Sequence, residues 1–229
     1  MTIEPLKWDS EFFNLKIGKI NPNCFSLSDF DAQKNSFDLI YIFEYPDAAT
    51  LDEIKSTNVA LVDRKVIYTK ETTSVLLDDN IKEYTAKTAS QNLIDLALQS
   101  GVYSRFKIDR NFDASFYDRL YLEWIKKSCS REIAFDVLVY GDEKDPDGFI
   151  TIQQKNNEAH VGLIAVHERA RGKGIGKKLM EAAEFVAKNH NFDILKVTTQ
   201  GDNKQACSLY EKCGFTIDET IHIYHYWNK

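Results

Sequence analysis

The stretch AHVGLIAVHERARGKGIG, residues 159–176, decides the fold of this 229-residue chain. A short apolar strand at 161–166 runs into a turn rich in glycine and cationic side chains, and a helix follows at once. The turn carries the pattern R-x-x-G-x-G from Arg169 to Gly174. Glycine permits close approach to the backbone, and a helix start offers unpaired N–H groups at the positive end of its dipole. The sequence therefore predicts a seat for a phosphate group at this turn.

The cationic side chains around the turn strengthen this prediction. Five of them fall within ten residues of a chain whose net charge is −6. They are Arg169, Arg171, Lys173, Lys177 and Lys178. The glycine pattern alone is also compatible with a tight connection between a strand and a helix. No G-K-[ST] follows, so the turn is not a Walker loop, and Arg171 stands where a dinucleotide-binding fingerprint has its first glycine.

The strand, turn and helix resemble motif A of the GNAT superfamily of N-acetyltransferases, whose loop binds the pyrophosphate of acetyl-CoA. Downstream, the stretch NKQACSLYEKCGF at 203–215 resembles the motif B helix, with Tyr210 as its tyrosine. Two motifs in this order and at this separation make the match specific. The resemblance implies an α/β GNAT acyl-CoA N-acyltransferase fold, which is a mixed, mostly antiparallel sheet flanked by helices. It also implies acetyl-CoA as the co-substrate.

The resemblance further implies which residues bind acetyl-CoA, namely the strand end, the turn, the helix start and one asparagine downstream. These residues are Leu163, Ile164, Ala165, Val166, Arg169, Arg171, Gly172, Lys173, Gly174, Ile175, Gly176 and Asn203. Backbone N–H groups of the strand are expected to hold the pantetheine arm, and one of them to polarise the thioester carbonyl. Asn203 is also expected to cap the motif B helix.

Tyr210 is the candidate catalytic residue. A phenol has an ordinary pKa of about 10, close enough to the value of about 8.5 for a thiol to supply the proton that the CoA thiolate needs. Outside the motif, the same tyrosine would be interpreted as an aromatic side chain packed on a helix face. No general base is identified. His160, His167 and Glu168 lie near the motif A strand, and a water chain to bulk solvent is the favoured alternative.

Composition limits the class of protein. Hydrophobic residues make up 43% of the chain and aromatic residues 12%, which is enough for a substantial core. The net charge of −6 argues against a general nucleic-acid binder. The stretch MTIEPLKWDSEFF at 1–13 shows no basic segment followed by an apolar run, so we expect no signal peptide. No apolar stretch approaches the ~20 residues that span a bilayer. We therefore expect a cytoplasmic protein that does not insert into membranes. Neither C-x-x-C nor HExxH spacing occurs, so we expect no metal.

The two ends of the chain resemble each other. A strand, a helix and paired strands run from Phe37 to Tyr68, and the same series runs from Phe192 to Tyr224. We therefore predict two domains: an N-terminal α/β domain at 1–75, interpreted as a degenerate GNAT half without a cofactor seat, and a GNAT acetyltransferase domain at 76–229. The alternative is that this common unit recurs by chance.

The whole chain resembles a narrower group, the bacterial dTDP-4-amino-4,6-dideoxy-D-galactose (dTDP-fucosamine) N-acetyltransferases. Short matching segments span both halves in order. They are Ile3–Trp8, Phe12-Phe13, Ser104–Phe106, Phe116–Ile125, Val161–Ile164, Thr199–Asn203 and Tyr210 with the glycine that follows it. This group acetylates the 4-amino group of a dTDP-linked deoxysugar for surface polysaccharide synthesis. The run at 166–170 is longer here than in the enterobacterial members, so the sugar isomer is left open.

The segment Tyr103-Ser104-Arg105-Phe106-Lys107 is expected to face the acceptor, because the superfamily builds its acceptor site between the first two helices of the fold. Arg105 and Lys107 are candidates to bind a nucleotide diphosphate, and Tyr103 or Phe106 to stack on thymine. The alternative is a solvated basic loop with a buried phenylalanine.

The resemblance implies a small-molecule nucleotide-sugar partner and no nucleic acid, and it leaves a homodimer open. Two competing functions remain at this point. One is a GNAT enzyme that acetylates a protein or peptide amine, which would suit an open acidic groove. The other is a non-catalytic acyl-CoA-binding regulator, against which the retained Tyr210 argues.

Overall fold

The computed structural model describes residues 2–228, and ten strands and eight α-helices form within this range. The strands are β1 (Glu4–Pro5), β2 (Ile17–Ile20), β3 (Leu39–Glu44), β4 (Ala60–Glu71), β5 (Ile81–Glu83), β6 (Asp136–Gly141), β7 (Pro146–Lys155), β8 (Glu158–Val166), β9 (Ile194–Gln200) and β10 (Thr216–Trp227). The helices are α1 (Lys7–Phe13), α2 (Leu27–Gln33), α3 (Leu51–Ser56), α4 (Gln91–Ser100), α5 (Arg105–Ile108), α6 (Ala114–Cys129), α7 (Ile175–Asn189) and α8 (Lys204–Lys212).

All ten strands belong to one sheet, in the order β1-β2-β3-β10-β4-β9-β8-β7-β6-β5. Two neighbouring pairs, β2 with β3 and β8 with β9, are parallel, and the other pairs are antiparallel. Parallel neighbours need a crossover connection, and α2 and α7 provide the two crossovers. The predicted α/β fold with a mixed, mostly antiparallel sheet is confirmed.

The topology repeats across the middle of the sheet. The series β2-α2-β3-α3-β4 matches β8-α7-β9-α8-β10, and β4 and β10 have the same length of 12 residues. The last strand of each series pairs with a strand of the other series: β4 pairs with β9, and β10 pairs with β3. The two exchanged strands also pair with each other at the centre. The sheet therefore crosses the position predicted as a domain boundary, and the boundary at residue 75 stays a prediction.

Helices cover both faces of the sheet. On one face, α7 and α8 bury an apolar cluster that includes Val66, Leu179 and Leu195. On the other face, α4 and α6 pack against strand residues such as Val139 and Leu163. The spacing of apolar residues on α7 gives the helix one continuous buried side. Since α6 also joins the aromatic cluster beneath α1 and α5, the second face continues into the N-terminal series.

A buried carboxylate fastens the end of β4 to α7. Glu184 accepts a hydrogen bond from Lys70 Nζ at 2.6 Å and two from Thr73, through its backbone N at 2.9 Å and its Oγ1 at 2.7 Å. Its side chain is only 2% exposed. Burial alone would raise the pKa of Glu184, but these hydrogen bonds outweigh it and lower the pKa. The ionised form therefore stabilises the fold above the usual glutamate range, and this contribution is lost as the pH falls.

We expect Glu184→Ala to lower the free energy of unfolding by about 3 kcal/mol at pH 7, because it removes one partner of a buried pair. Lys70 is 23% exposed, so the loss should lie at the low end of the range for such pairs. The matched control is Glu181→Ala, three residues earlier on α7, whose carboxylate is 39% exposed and 3.6 Å from Lys177. Urea unfolding of the two variants measures the difference. A loss for Glu184→Ala as small as for the control would contradict the prediction.

Candidate active site

A β-bulge in β8 shapes the site. The pairing with β7 shifts between Ile150 and Ile152, so that Gly162 and Leu163 together face Thr151. The Leu163 backbone N donates to Thr151 Oγ1 at 2.8 Å. A Cβ on Gly162 would collide with the Gln153 and Thr151 side chains, so glycine lets these two side chains keep their positions beside the bulge. A bulge bends its strand and increases the local twist. The pairing of β8 with β9 ends at Val161, immediately before this bulge.

The strands β8 and β9 open into a cleft beyond the bulge. They pair only at 159–161 with 195–197, although both strands continue further. A cavity of about 400 Å³ lies there, lined by 162–166 of β8, 198–200 of β9, the start of α8 and the segment 102–106. Because β8 has no β9 partner after Val161, one edge of its backbone faces this cleft.

The glycine-rich turn is open at its surface. Gly172 and Gly174 have φ values of 79° and 76°, in the left-handed region that favours glycine. A Cβ added to either glycine would meet no atom within 4 Å. The backbone conformation, and not the packing, therefore requires these two glycines. Gly176 differs, because its Cβ would lie 3.1 Å from Leu209 Cδ2, where α7 approaches α8 closely.

Only two of the five cations near the turn lack a carboxylate partner among the described residues. Lys177 and Lys178 lie near carboxylates, at 3.6 Å from Glu181 and 2.9 Å from Asp78. Arg171 and Lys173 are exposed and form no ion pair in residues 2–228. The free positive charge at the turn is therefore smaller than the sequence suggests.

Arg169 is the clearest departure from the predicted set. Its guanidinium forms ion pairs with Asp145, just before β7, at 2.9 Å and with Asp147, at the start of β7, at 3.0 Å. Spacing along the chain could not show this, because the two carboxylates lie more than twenty residues earlier. Arg169 thus fastens the turn to the sheet instead of facing the cleft.

The structure brings most of the remaining predicted residues to the cleft. Its lining includes Tyr103, Arg105, Phe106, Leu163, Ile164, Ala165, Val166, Arg171, Gly176, Asn203 and Tyr210. The residues outside the lining are Lys107, Arg169, Gly172, Lys173, Gly174 and Ile175. Ile175 is 3% exposed and belongs to the core. The Lys107 ammonium lies 4.4 Å from the centre of the Tyr117 ring, on the helix side of the segment.

Tyr210 reaches the cleft from α8. It is 3% exposed and packs edge-on against Tyr68, with ring centres 5.6 Å apart. Its hydroxyl forms no hydrogen bond with any described residue. Burial raises the pKa of Tyr210 above its ordinary value, so the phenol keeps its proton near neutral pH. At the start of the same helix, Asn203 Oδ1 accepts from the Ala206 backbone N at 3.1 Å, which confirms the expected cap.

Arg105 lines the cleft from the segment between α4 and α6. The segment predicted as a loop forms the short helix α5 from this residue, and Ser104 caps it. The guanidinium lies over the rings of Phe106 at 4.4 Å and Tyr41 at 5.1 Å. Its buried Nε has no hydrogen-bond partner in the described chain. Phe106 itself is 7% exposed and packs into the aromatic cluster, whereas Tyr103 is 40% exposed.

Sequence reasoning missed several lining residues, because they come from elements whose faces it did not assign. They are Asp63, Gln99, Tyr121, Trp124, Gln200 and Gln205. The residues that the structure describes contain no group of three His, Cys, Asp or Glu side chains arranged to hold a metal ion. None of the described helices has the length and apolar character needed to cross a bilayer.

The comparison with protein families finds a match over the part of the chain that forms most of this cleft. Residues 102–215, which contain the bulge, the glycine-rich turn and Tyr210, match the family described as Acetyltransferase (GNAT) family. The fold is similar to that of a GCN5-related N-acetyltransferase from Sphaerobacter thermophilus, with a TM-score of 0.55 at 12% identity over 82% of this chain and 59% of that one. The chain has a GNAT acetyltransferase fold. Acetyl-CoA is the acetyl donor that this superfamily uses.

Two curated relatives of this GNAT protein match it in part. The spore coat polysaccharide biosynthesis protein SpsD of Bacillus subtilis (strain 168) is 23% identical over 138 residues, which are 60% of this chain and 47% of that protein. Streptothricin acetyltransferase of Escherichia coli is 39% identical over 62 residues, which are 27% of this chain and 36% of that protein. The chain thus spans about half or less of the length of these relatives.

Proposed function

We propose that this GNAT enzyme moves the acetyl group of acetyl-CoA to the amino group of a dTDP-linked 4-amino-4,6-dideoxy sugar, for surface polysaccharide synthesis. The observation that carries the acceptor assignment is the cationic and aromatic end of the cleft. There, Arg105 has a buried Nε without a partner, and Tyr103 is exposed beside it. The name of the SpsD relative, a polysaccharide biosynthesis protein, supports the same class of substrate.

The donor side of the cleft fits acetyl-CoA. Gly172 and Gly174 leave open space above the turn, and Arg171 and Lys173 are free to meet negative charge. The first N–H groups of α7 point out of the same turn, as anion-binding helix starts do. The unpaired edge of β8 at 162–166 is the place for the pantetheine arm. When bound, acetyl-CoA supplies an activated thioester carbonyl.

The residues of the chain orient the two substrates and supply one proton to the leaving thiolate. Holding the amine and the thioester in one closed cleft supplies most of the rate gain, because it replaces an encounter in solution. Tyr210 is neutral and its hydroxyl is free, so it can protonate the sulfur atom as the C–S bond breaks. Asn203 holds the start of α8 in place, which positions Tyr210 at the end of the next two turns.

The assignment is tested by acetyl transfer from labelled acetyl-CoA to a panel of amines. The panel contains dTDP-linked 4-amino-4,6-dideoxy sugars of both configurations at C4, streptothricin and a peptide with a free N-terminus. We expect a dTDP-amino sugar to have the highest kcat/KM. A higher value for the peptide would overturn the sugar assignment, while the acetyltransferase activity itself would stand.

We expect Arg105→Ala to raise the KM for the dTDP-sugar at least tenfold and to leave the KM for acetyl-CoA nearly unchanged. A guanidinium binds a diphosphate through paired, charge-assisted hydrogen bonds. Arg105 lies over Tyr41 of β3, whereas the glycine-rich turn follows β8, and three strands separate β3 from β8 in the sheet. Arg105→Lys should recover only part of the loss, because an ammonium lacks the planar fork.

The matched control for Arg105 is Lys107→Ala, in the same short helix. The Lys107 ammonium lies against Tyr117 and outside the cleft lining, so we now expect a smaller effect than for Arg105. Steady-state kinetics with each substrate varied in turn measures both constants. An Arg105→Ala enzyme that loses only acetyl-CoA affinity would place the nucleotide elsewhere.

A further inference from the structure

One carboxylate lines the cleft, and it comes from the N-terminal series. Asp63 on β4 is the only Asp or Glu among the described lining residues, and no histidine is among them. Asp63 is 6% exposed, and its Oδ1 is buried without a hydrogen-bond partner. The three groups named from sequence as nearby bases, His160, His167 and Glu168, are not among the lining residues. His160 pairs with Glu158 at 3.5 Å, and His167 Nδ1 accepts from the Arg169 backbone N.

The strand exchange explains how Asp63 reaches the site. Strand β4 lies between β10 and β9, and Asp63 is opposite Ile223 while Lys65 is opposite Gln200. This register places Asp63 next to the end of β9, which forms one wall of the cleft. A residue from the half without a glycine-rich turn thereby contributes to the site of the other half.

The surroundings of Asp63 are polar but incompletely paired. The groups that face it are Arg105 from α5, Lys65 from its own strand, Tyr121 from α6, Gln200 from β9 and Asp202 from the turn that follows. Neither Arg105 nor Lys65 forms an ion pair with it within 4.0 Å among the described residues. Among the described residues, five buried side-chain atoms lack a hydrogen-bond partner, and four of them belong to Asp63, Arg105, Tyr41 and His225. Tyr41 lies beneath the Arg105 guanidinium and stacks on His225.

We propose that Asp63 binds the acceptor ammonium group and removes the proton that must leave before the nitrogen can attack. This proposal rests on the acetylation of an amine, and it adds a base to the proposed function. A buried carboxylate oxygen without a partner is costly, and an ammonium group in the cleft would satisfy it.

The proton balance of the reaction closes with these groups. The acceptor R–NH3⁺ transfers one proton to the Asp63 carboxylate and becomes R–NH2. The nitrogen lone pair forms the C–N bond to the acetyl carbon, the C–S bond breaks, and Tyr210 protonates the sulfur. The second proton lost by the nitrogen returns through water to the Tyr210 oxygen. Asp63 then releases its proton to solvent, which gives the amide, CoA-SH and one H⁺.

The electrostatics agree with such a base. Burial raises the pKa of Asp63 to about 6, and the negative charge of Asp202 acts in the same direction. Arg105, Lys65 and the Gln200 side chain, which approaches the carboxylate as a hydrogen-bond donor, act in the opposite direction. The carboxylate is therefore ionised at pH 7 and can accept a proton, and it is closer to the operating pH than an ordinary aspartate. Because the pKa is raised in the fold, the ionised group lowers stability as the pH rises through this value. The negative charge of Asp63 thus lowers the stability of the fold, as expected for a residue with a catalytic role.

The test compares Asp63→Asn with Asp202→Asn, using the amine from the panel that the wild-type enzyme turns over fastest. Asp202 is a nearby carboxylate, 59% exposed and paired with Arg64. At pH 7 we expect Asp63→Asn to lower kcat/KM by about 10²–10⁴-fold, the usual worth of a general base. Asp202→Asn should stay within threefold of wild type. The Kd of acetyl-CoA, measured by calorimetry, should be unchanged in both variants.

The pH profile separates a base from a structural residue. The wild-type kcat/KM should fall tenfold per pH unit below a pKa near 6, which gives the profile an acidic limb. The profile of Asp63→Asn should lack this acidic limb. The melting temperature of Asp63→Asn at pH 8 should equal or exceed that of wild type. If that variant fails to fold, Asp63→Glu replaces it and should keep the limb at reduced activity. A limb that persists in Asp63→Asn, or a loss no larger than for Asp202→Asn, would overturn the proposal.

The test is independent of the sugar assignment. If the wild-type enzyme prefers the peptide or streptothricin, the proposed substrate is wrong, and the comparison of Asp63 with Asp202 proceeds with the preferred amine. If a dTDP-amino sugar is preferred but the variants behave alike, the substrate stands and the base assignment is wrong.

Discussion

Turnover of the Tyr210→Phe enzyme should fall by about 10²–10⁴-fold, because the change removes the proton donor for the leaving thiolate and keeps the ring. The Tyr210 hydroxyl has no hydrogen-bond partner within residues 2–228, so the melting temperature should not fall. The acetyl-CoA dissociation constant should also stay unchanged. Single-turnover kinetics with saturating acetyl-CoA measures the chemical step, and calorimetry measures the binding.

The matched control for Tyr210 is the tyrosine packed against it. Tyr68 is also buried, and its hydroxyl donates to Glu211 Oε1 at 3.0 Å, outside the cleft lining. Tyr68→Phe should therefore cost about 1 kcal/mol of stability and leave turnover within twofold. Equal turnover of Tyr210→Phe and wild type would reduce Tyr210 to a packing residue. A similar fall in both variants would attribute the effect to disturbance of the aromatic pair.

Local signals were sufficient to predict the motif A turn and the motif B helix. The φ values of Gly172 and Gly174 are those that only glycine adopts readily, so the pattern of residue types carries the backbone conformation directly. Asn203 caps α8 through its own side chain, within three residues. Such features depend on residues that are close in the chain, and they can therefore be predicted from the sequence.

Features that depend on distant strands could not be predicted. Asp63 stands in an ordinary strand pattern, and only the exchange of β4 and β10 brings it to the cleft. Arg169 has the sequence position of a phosphate ligand, but in the fold Asp145, just before β7, and Asp147, at its start, form ion pairs with it. The similarity of the two series was visible in the sequence. The pairing of the last strand of each series with the other series is set by tertiary packing, which the local sequence pattern does not show. The acceptor end was partly predictable, since Arg105 lines the cleft whereas Lys107 does not.

Replacement of Gly174 by aspartate should strongly weaken the binding of acetyl-CoA, and replacement by asparagine is the control that isolates the effect of the charge. Gly174 has a φ of 76°, and six asparagines in this chain adopt positive φ values, so an asparagine is compatible with this backbone. A side chain at this position meets no protein atom within 4 Å. Gly174→Asn and Gly174→Asp therefore place nearly the same volume above the turn and differ by one negative charge.

The charge should decide the difference between the two variants. A carboxylate about 4 Å from a phosphate is repelled by about 1 kcal/mol in water and about 4 kcal/mol at an effective dielectric constant of 20. With two phosphates at the turn, Gly174→Asp should bind acetyl-CoA at least about a hundredfold more weakly than Gly174→Asn, since 1.4 kcal/mol is tenfold in affinity. Calorimetry at low and high salt measures both affinities, and screening should narrow the gap at high salt. Equal affinities in the two folded variants would show that the diphosphate is not held at Gly174, and the donor side of the cleft would then have to lie elsewhere along β8.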